Sequence, residues 1–172
     1  MDFPIHKDIQ RNLFWRRKFL RDANFVPGLK GALRAECAKN PLFYVNYFCY
    51  THDPRRKTPI LPFITYEFQD GAIMDLVASI DGGYDVGIEK SRDMGASWII
   101  LVAADWYSRF HPHSTFLLVS RNEDYVDKPG DPKSLFWKLD FIRKYQPQWL
   151  APNVKRTSLH MENLDNGSVI DG

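Results

Sequence analysis

Apolar residues in the first half of the chain follow the spacing of helices. Between residues 6 and 22 they recur three to four positions apart among basic side chains, which predicts an amphipathic helix. Helical patterns also cover 29–39 and 65–80, the latter most clearly after Gly71. The segment PLFYVNYFCY at 41–50 is so rich in aromatic residues that we expect it to be buried. This half of the chain is therefore predicted to be mainly helical.

From residue 84 the pattern changes to an alternation of strand and helix. YDVGIEK at 84–90 is a predicted strand, SWIILVAADWYSRF at 97–110 a long apolar helix, and TFLLVS at 115–120 a nearly all-apolar strand. Two strands joined by a buried helix form a βαβ unit, and an apolar strand suits a parallel sheet covered on both faces. A further helix over about 133–146 and a hairpin around Asn166-Gly167 complete the predicted α/β fold.

Length and composition narrow the class of protein. A chain of 172 residues corresponds to about one domain, and 44% hydrophobic residues exclude a disordered or fibrous chain. No run approaches the ~20 apolar residues of a membrane span, and the first residues lack the pattern of a secretory signal. Cys37 and Cys49 are too few to form a metal cage. We therefore expect a reduced, intracellular globular domain.

The net charge is only +2, but the basic residues cluster near the N-terminus. Residues 7–34 carry eight basic side chains against Asp8 and Asp22. The basic residues are Lys7, Arg11, Arg16, Arg17, Lys18, Arg21, Lys30 and Arg34. Such a helix face either contacts a phosphate backbone or is simply solvated, and both interpretations stay open. We treat 1–40 as a basic helical N-terminal segment.

The segment KSRDMGAS lies between the predicted strand and helix, where a phosphate-binding loop must lie. In the Walker A pattern GxxxxGK[ST], Gly95 and Ser97 match the second glycine and the hydroxyl, whereas Ala96 replaces the usual lysine. Lys90 stands at the first position and could supply the missing charge from across the phosphates. Ser97 would cap the helix and offer its hydroxyl to Mg²⁺. The alternative is a plain N-capped helix after a polar turn.

Several segments, in order, resemble the large terminase subunits that drive DNA packaging in tailed bacteriophages. KSRDMGAS resembles their deviant phosphate-binding loop, in which some members place the lysine at the start. LFYVNYFCYTHDPR and LPFITYEFQ resemble the segments that precede that loop, and TFLLVSRNEDYVD and QPQWL resemble those that follow. The resemblance covers roughly residues 35–172. It implies a P-loop NTPase-like fold with ATP and Mg²⁺ as cofactors.

The resemblance also implies roles for individual residues. Gln69 would read the adenine edge, unless it is an exposed glutamine at a helix start. Arg92 would act as an arginine finger on the γ-phosphoryl group, unless it pairs with Asp93 or Glu89. Lys90 would neutralise phosphate charge and Ser97 would hold Mg²⁺. The implied nucleotide-binding residues are Gln69, Lys90, Ser91, Arg92, Asp93, Met94, Gly95, Ala96, Ser97 and Trp98. Tyr66 or Phe68 would stack on the base or belong to the core.

By the resemblance, the protein would be the ATP-binding part of a terminase that packages viral double-stranded DNA into the procapsid. Its partners would be the small terminase subunit and the portal protein, with a homo-oligomeric ring on the portal and no membrane. It would act in the cytoplasm of the infected bacterium and transiently at the portal. Residues 41–172 would form the N-terminal portion of the ATPase domain. The second acidic motif and the nuclease domain do not occur in the sequence, so we expect this chain alone to hydrolyse ATP poorly.

Two other functions fit the same residues. A helicase-like nucleic-acid ATPase would also use a glutamine before the loop to read adenine. A non-enzymatic DNA-binding or adaptor module would use the basic N-terminal helix, and its loop would be degenerate. Nucleotide binding separates the ATPases from the adaptor module.

Overall fold

The computed structural model describes residues 3–172, and within that range the chain forms an α/β arrangement of seven helices and six strands. The helices are α1 Ile9–Asp22, α2 Leu29–Lys39, α3 Pro41–Phe48, α4 Glu67–Gly82, α5 Ala96–Phe110, α6 Glu123–Val126 and α7 Leu135–Lys144. The strands are β1 Tyr50–His52, β2 Ile60–Pro62, β3 Thr115–Leu117, β4 Val154–Thr157, β5 His160–Asn163 and β6 Ser168–Asp171. None of the helices described is long and apolar enough to cross a membrane.

Local signals fix most helix ends. Helix α1 begins later than predicted because the Asp8 side chain accepts a hydrogen bond from the Arg11 N–H at 2.9 Å. The predicted helix over 29–39 is confirmed as α2. The aromatic segment is buried, as predicted, and forms α3, which Asn40 caps through the Phe43 N–H. Helix α4 ends at Gly82 and is capped by Gly83, whose φ of +66° suits glycine.

The buried face of α1 differs from the predicted one. Phe14 is 61% exposed, whereas Asn12 and Arg16 are buried. The Asn12 amide donates to the Asn46 carbonyl at 3.0 Å, and Arg16 Nε donates to Asn12 Oδ1 at 2.8 Å. The Arg16 guanidinium also lies 4.9 Å from the centre of the Tyr50 ring. One member of the predicted basic face is therefore in the core.

A single apolar cluster joins the N-terminal helices to the rest of the chain. Its buried members include Phe19, Leu33, Phe43, Ile73, Val102 and Leu150. A smaller cluster lies under the main sheet and includes Leu101 of α5, Phe136, Met161 and Ile170. Helix α5 thus packs against the helices on one side and the sheet on the other.

The prediction of a mostly parallel sheet is wrong for the part of the chain that the structure describes. The larger sheet has the order β3-β6-β5-β4, and β3–β6 is its one parallel pair. Strands β1 and β2 form a separate antiparallel pair. The hairpin around Asn166-Gly167 is confirmed as β5–β6.

The predicted strand at 84–90 is also wrong, and with it the βαβ unit. No strand is present there, and Tyr84, Val86 and Ile88 are all exposed. The strand predicted at 115–120 is shortened to β3, which lies at the edge of the sheet and leaves Leu117 69% exposed. A strand needs partners for its backbone, and within residues 3–172 the segment 84–90 pairs with no strand while β3 pairs with β6 on one side only.

A buried ionic network fixes the orientation of α5. Asp105 is fully buried and accepts hydrogen bonds from Arg109 Nη2 at 2.9 Å, Arg143 Nε at 2.8 Å and the Tyr44 hydroxyl. Burial raises the pKa of Asp105, but the two guanidinium groups outweigh burial and hold that pKa at about 2. Arg109 Nη1 donates to the Leu150 carbonyl at 2.8 Å. The network ties α5 to α3 and α7, and so determines where the N-terminus of α5 lies.

Candidate functional site

A cavity of about 820 Å³ opens at the N-terminus of α5. Its walls are the loop before α5, the start of α4, and the connection between β1 and β2. Eight of the ten predicted nucleotide-binding residues line it: Gln69, Lys90, Arg92, Asp93, Met94, Gly95, Ser97 and Trp98. Ser91 and Ala96 do not. The cavity has the size of a small-molecule site.

Gln69 joins α4 to the loop. It is only 6% exposed, so the alternative of an exposed glutamine at a helix start is wrong. Its Oε1 accepts the Tyr66 N–H at 3.1 Å, and its Nε2 donates to the Met94 carbonyl at 3.1 Å. The amide keeps one further N–H and one further lone pair, so these bonds leave it able to contact a ligand.

Gly95 gives the loop its shape. Its φ is +80°, a conformation that costs little only for glycine. A Cβ atom built on Gly95 would lie 3.0 Å from Gln69 Nε2. Asp93, two residues before Gly95, also has a positive φ, of 64°. The chain therefore turns sharply here and begins α5 in close contact with the Gln69 side chain.

The start of α5 offers free backbone donors. Helix α5 begins at Ala96 with Gly95 as its N-cap, so the prediction that Ser97 caps the helix is wrong. The chain turns two residues earlier than a Ser97 cap requires, and Ser97 is the second helical residue. No side chain from residues 3–172 caps this end. The first N–H groups of a 15-residue helix are therefore left for a ligand, and the helix dipole favours an anion there.

Lys90 and Arg92 are exposed beside the cavity. Arg92 forms no ion pair with Asp93 or Glu89, the partners that the alternative interpretation required, and Lys90 forms none with any carboxylate of residues 3–172. Both cationic groups are thus free to meet an anion.

Sequence reasoning missed the cations that come from other elements. Arg55 and Arg56 reach the cavity from the β1–β2 connection, and Lys138 reaches it from α7. Burial lowers the pKa of Lys138, whose ammonium donates to the Lys133 carbonyl at 2.9 Å. With Lys90 and Arg92, five cationic side chains and two carboxylates line the cavity. The run Arg55-Arg56-Lys57 in a proline-rich segment is the signal in the sequence that points to two of these cations.

Two exposed aromatic rings stand next to Gln69. Tyr66 is 68% exposed and Phe68 is 51% exposed, so neither belongs to the core. Their rings are nearly parallel, with centroids 5.7 Å apart and planes 8° apart. Tyr66 also lines the cavity. An exposed ring beside a buried amide is a suitable surface for a planar base.

The cavity can hold Mg²⁺ only when a ligand such as a nucleotide supplies part of the coordination. Residues 3–172 contain no group of three or more His, Cys, Asp or Glu side chains placed to hold a metal ion. Ser97 lines the cavity and supplies one hydroxyl. Mg²⁺ commonly keeps several waters and takes the rest of its ligands from phosphates and one or two protein oxygens. The residues of the cavity therefore fit a Mg²⁺ ion that is already bound to a nucleotide, and they do not fit a free Mg²⁺ ion.

A comparison with models of protein families finds no match for this chain, and a search of curated proteins likewise finds no relative.

Proposed function

We propose that this chain is the ATP-binding part of a DNA-packaging motor similar to large terminase subunits, with a P-loop NTPase-like site. One observation carries the proposal. Gln69 and the loop before α5 lie over twenty positions apart in the sequence, yet they line the same cavity and are joined by a hydrogen bond. A coincidental resemblance would give no reason for the Gln69 amide to bond to the loop. The excess of positive charge around that cavity fits a polyphosphate ligand.

In this proposal the phosphates lie at the start of α5. Backbone N–H groups from Gly95 to Trp98 would donate to them. Lys90 would neutralise their charge, because Ala96 stands where the Walker A pattern has a lysine. The adenine would lie against Tyr66, within reach of the remaining donor and acceptor of Gln69. This arrangement uses the free groups of the cavity and leaves the bonds within the loop intact.

Arg92 and Ser97 serve the reaction in this proposal. Mg²⁺, when bound with ATP, would supply positive charge to offset the negative charge of the phosphates. Ser97 would be the protein ligand that holds it, and Arg92 would stabilise charge on the γ-phosphoryl group. The carboxylates of the described cavity, Asp53 and Asp93, are both paired with Arg55. With both carboxylates paired in this way, ATP binding is the property to measure on this chain.

Double-stranded DNA is the proposed macromolecular substrate. Arg17 and Arg21 share an exposed face of α1 with Phe14, and Arg11 lies next to it. Cationic side chains on one helix face contact phosphate backbones in a sequence-independent way, as a packaging motor requires. The small terminase subunit, the portal protein and a ring of copies at the portal, in the cytoplasm of an infected bacterium, complete the proposal.

The test is calorimetric titration of the chain with Mg²⁺ and ATP, beside Lys90→Ala. We expect the variant to lose about 1.5–3 kcal/mol of binding free energy, the usual contribution of one charge-assisted hydrogen bond. Lys155→Ala is the matched control, because Lys155 is an exposed lysine on β4 away from the cavity. Equal affinity in all three proteins would contradict the role of Lys90. No binding by the wild-type chain would favour the adaptor alternative.

A further inference from the structure

Arg55 stands at the mouth of the cavity in a fixed orientation. Its Nε donates to Asp53 Oδ1 at 2.9 Å and its Nη2 donates to Asp53 Oδ2 at 3.3 Å. Asp53 Oδ1 also accepts the Arg55 backbone N–H at 3.1 Å. This two-point contact fixes the plane of the guanidinium and leaves Nη1 free of Asp53. An arginine held in this way is oriented before any ligand arrives.

The Nη1 atom of Arg55 contacts the loop before α5. Nη1 lies 3.4 Å from Asp93 Oδ2, so an ion pair bridges the β1–β2 connection and the loop before α5. Both side chains are about two-thirds exposed, and an exposed ion pair contributes little to stability. A ligand with several negative oxygens would therefore displace Asp93 from Arg55 readily.

The position of Asp93 is otherwise unexplained. A carboxylate in a loop that is built to receive anions should repel them, and Asp93 also adopts a positive φ. Its oxygen nevertheless lies beside a guanidinium group at the edge of the cavity, where an oxygen of a phosphate would find the same partner. The carboxylate thus occupies the place of a ligand oxygen.

We propose that Arg55 is a phosphate-binding residue of this cavity and that Asp93 holds its guanidinium until a polyphosphate replaces the carboxylate. The proposal rests on the proposed function for the nature of the ligand, a nucleoside triphosphate. Asp53 is a positioning residue, since it contacts Arg55 and would not contact the phosphates. Asp93 competes with the ligand and so lowers its affinity.

A double-mutant cycle separates this role from simple electrostatic repulsion. Calorimetry would measure the binding of ATP with Mg²⁺, and of inorganic tripolyphosphate, to wild-type, Arg55→Gln, Asp93→Asn and the double variant. We expect Arg55→Gln to weaken binding about tenfold, as the loss of a charge-assisted bond does. Asp93→Asn should strengthen binding about threefold in the wild-type background and not at all beside Arg55→Gln, because the two residues act as one pair.

Lys57→Gln is the matched control, since it removes one charge from the same connection without touching the cavity. A loss as large in Lys57→Gln as in Arg55→Gln would overturn the proposal, as would an equal gain from Asp93→Asn in both backgrounds. If tripolyphosphate binds in the expected pattern but ATP does not, the role of Arg55 stands and the nucleotide function fails. If neither ligand binds to any of the four proteins, both proposals fail.

Discussion

Gly95→Ala is the substitution that tests the geometry of the loop most closely. Gly95 has a φ of +80°, and placing an L-residue in that conformation costs about 1–2 kcal/mol. The new Cβ would also lie 3.0 Å from Gln69 Nε2, so this amide must shift by a few tenths of an ångström and its hydrogen bond to the Met94 carbonyl is strained. Weakening that bond costs up to about 1 kcal/mol. We expect the variant to be less stable than wild-type by about 1–3 kcal/mol.

Gly71→Ala is the matched control for the same chemical change. Gly71 lies inside α4, its φ is not positive, and an added Cβ would meet nothing within 4 Å. Replacing glycine by alanine within a helix stabilises by about 0.5–1 kcal/mol. The two variants should therefore move the unfolding midpoint in urea in opposite directions with an unchanged m-value. A Gly95→Ala protein as stable as wild-type would refute the loop geometry described above.

Two further predictions concern the ionic network and the basic helix. Asp105→Asn should destabilise by about 3–5 kcal/mol, because it leaves Arg109 and Arg143 buried without a counter-charge. Since the folded-state pKa of Asp105 is held at about 2, below its usual 3.8, its contribution is complete above pH 4 and is lost as the pH falls towards 2. The free energy of unfolding of wild-type should drop by about 2 kcal/mol over that interval, and a pH titration of Asp105→Asn should lack this component. Arg17→Glu with Arg21→Glu should weaken binding to double-stranded DNA and flatten its salt dependence, which fluorescence anisotropy measures, whereas Lys155→Glu should not.

Elements fixed by local chemistry were predictable from the sequence. Helix α2 follows Gly28, α4 ends just before Gly83, and the β5–β6 hairpin turns at Asn166-Gly167, so each has a signal within its own few residues. The strand expected at 84–90 has no such signal, because its existence depends on a partner strand elsewhere in the chain. The buried face of α1 depends likewise on Asn46 and Tyr50, which lie about thirty residues further along.

In the candidate site, too, some parts could be predicted from the sequence and others depend on packing between distant segments. The loop from Lys90 to Trp98 could be predicted because its residues are consecutive, and Gln69 could be found through the family resemblance. The bond between Gln69 and Met94 could not, nor could the approach of Arg55 to Asp93 across 38 positions of sequence. Lys138 is still more distant from the loop, on α7. Packing of α5 against α3, α4 and α7 brings these groups together, and no short motif encodes that packing.

The cavity at the start of α5 is proposed to bind the phosphates of ATP. An amide NMR titration with Mg²⁺ and ATP tests it most directly, because it reports where on the chain the ligand lies. We predict the largest shifts in the backbone amides from Met94 to Trp98 and in the Gln69 side-chain amide, with smaller shifts when AMP replaces ATP. Shifts confined to the basic face of α1, or no shifts at millimolar ATP, would contradict the account.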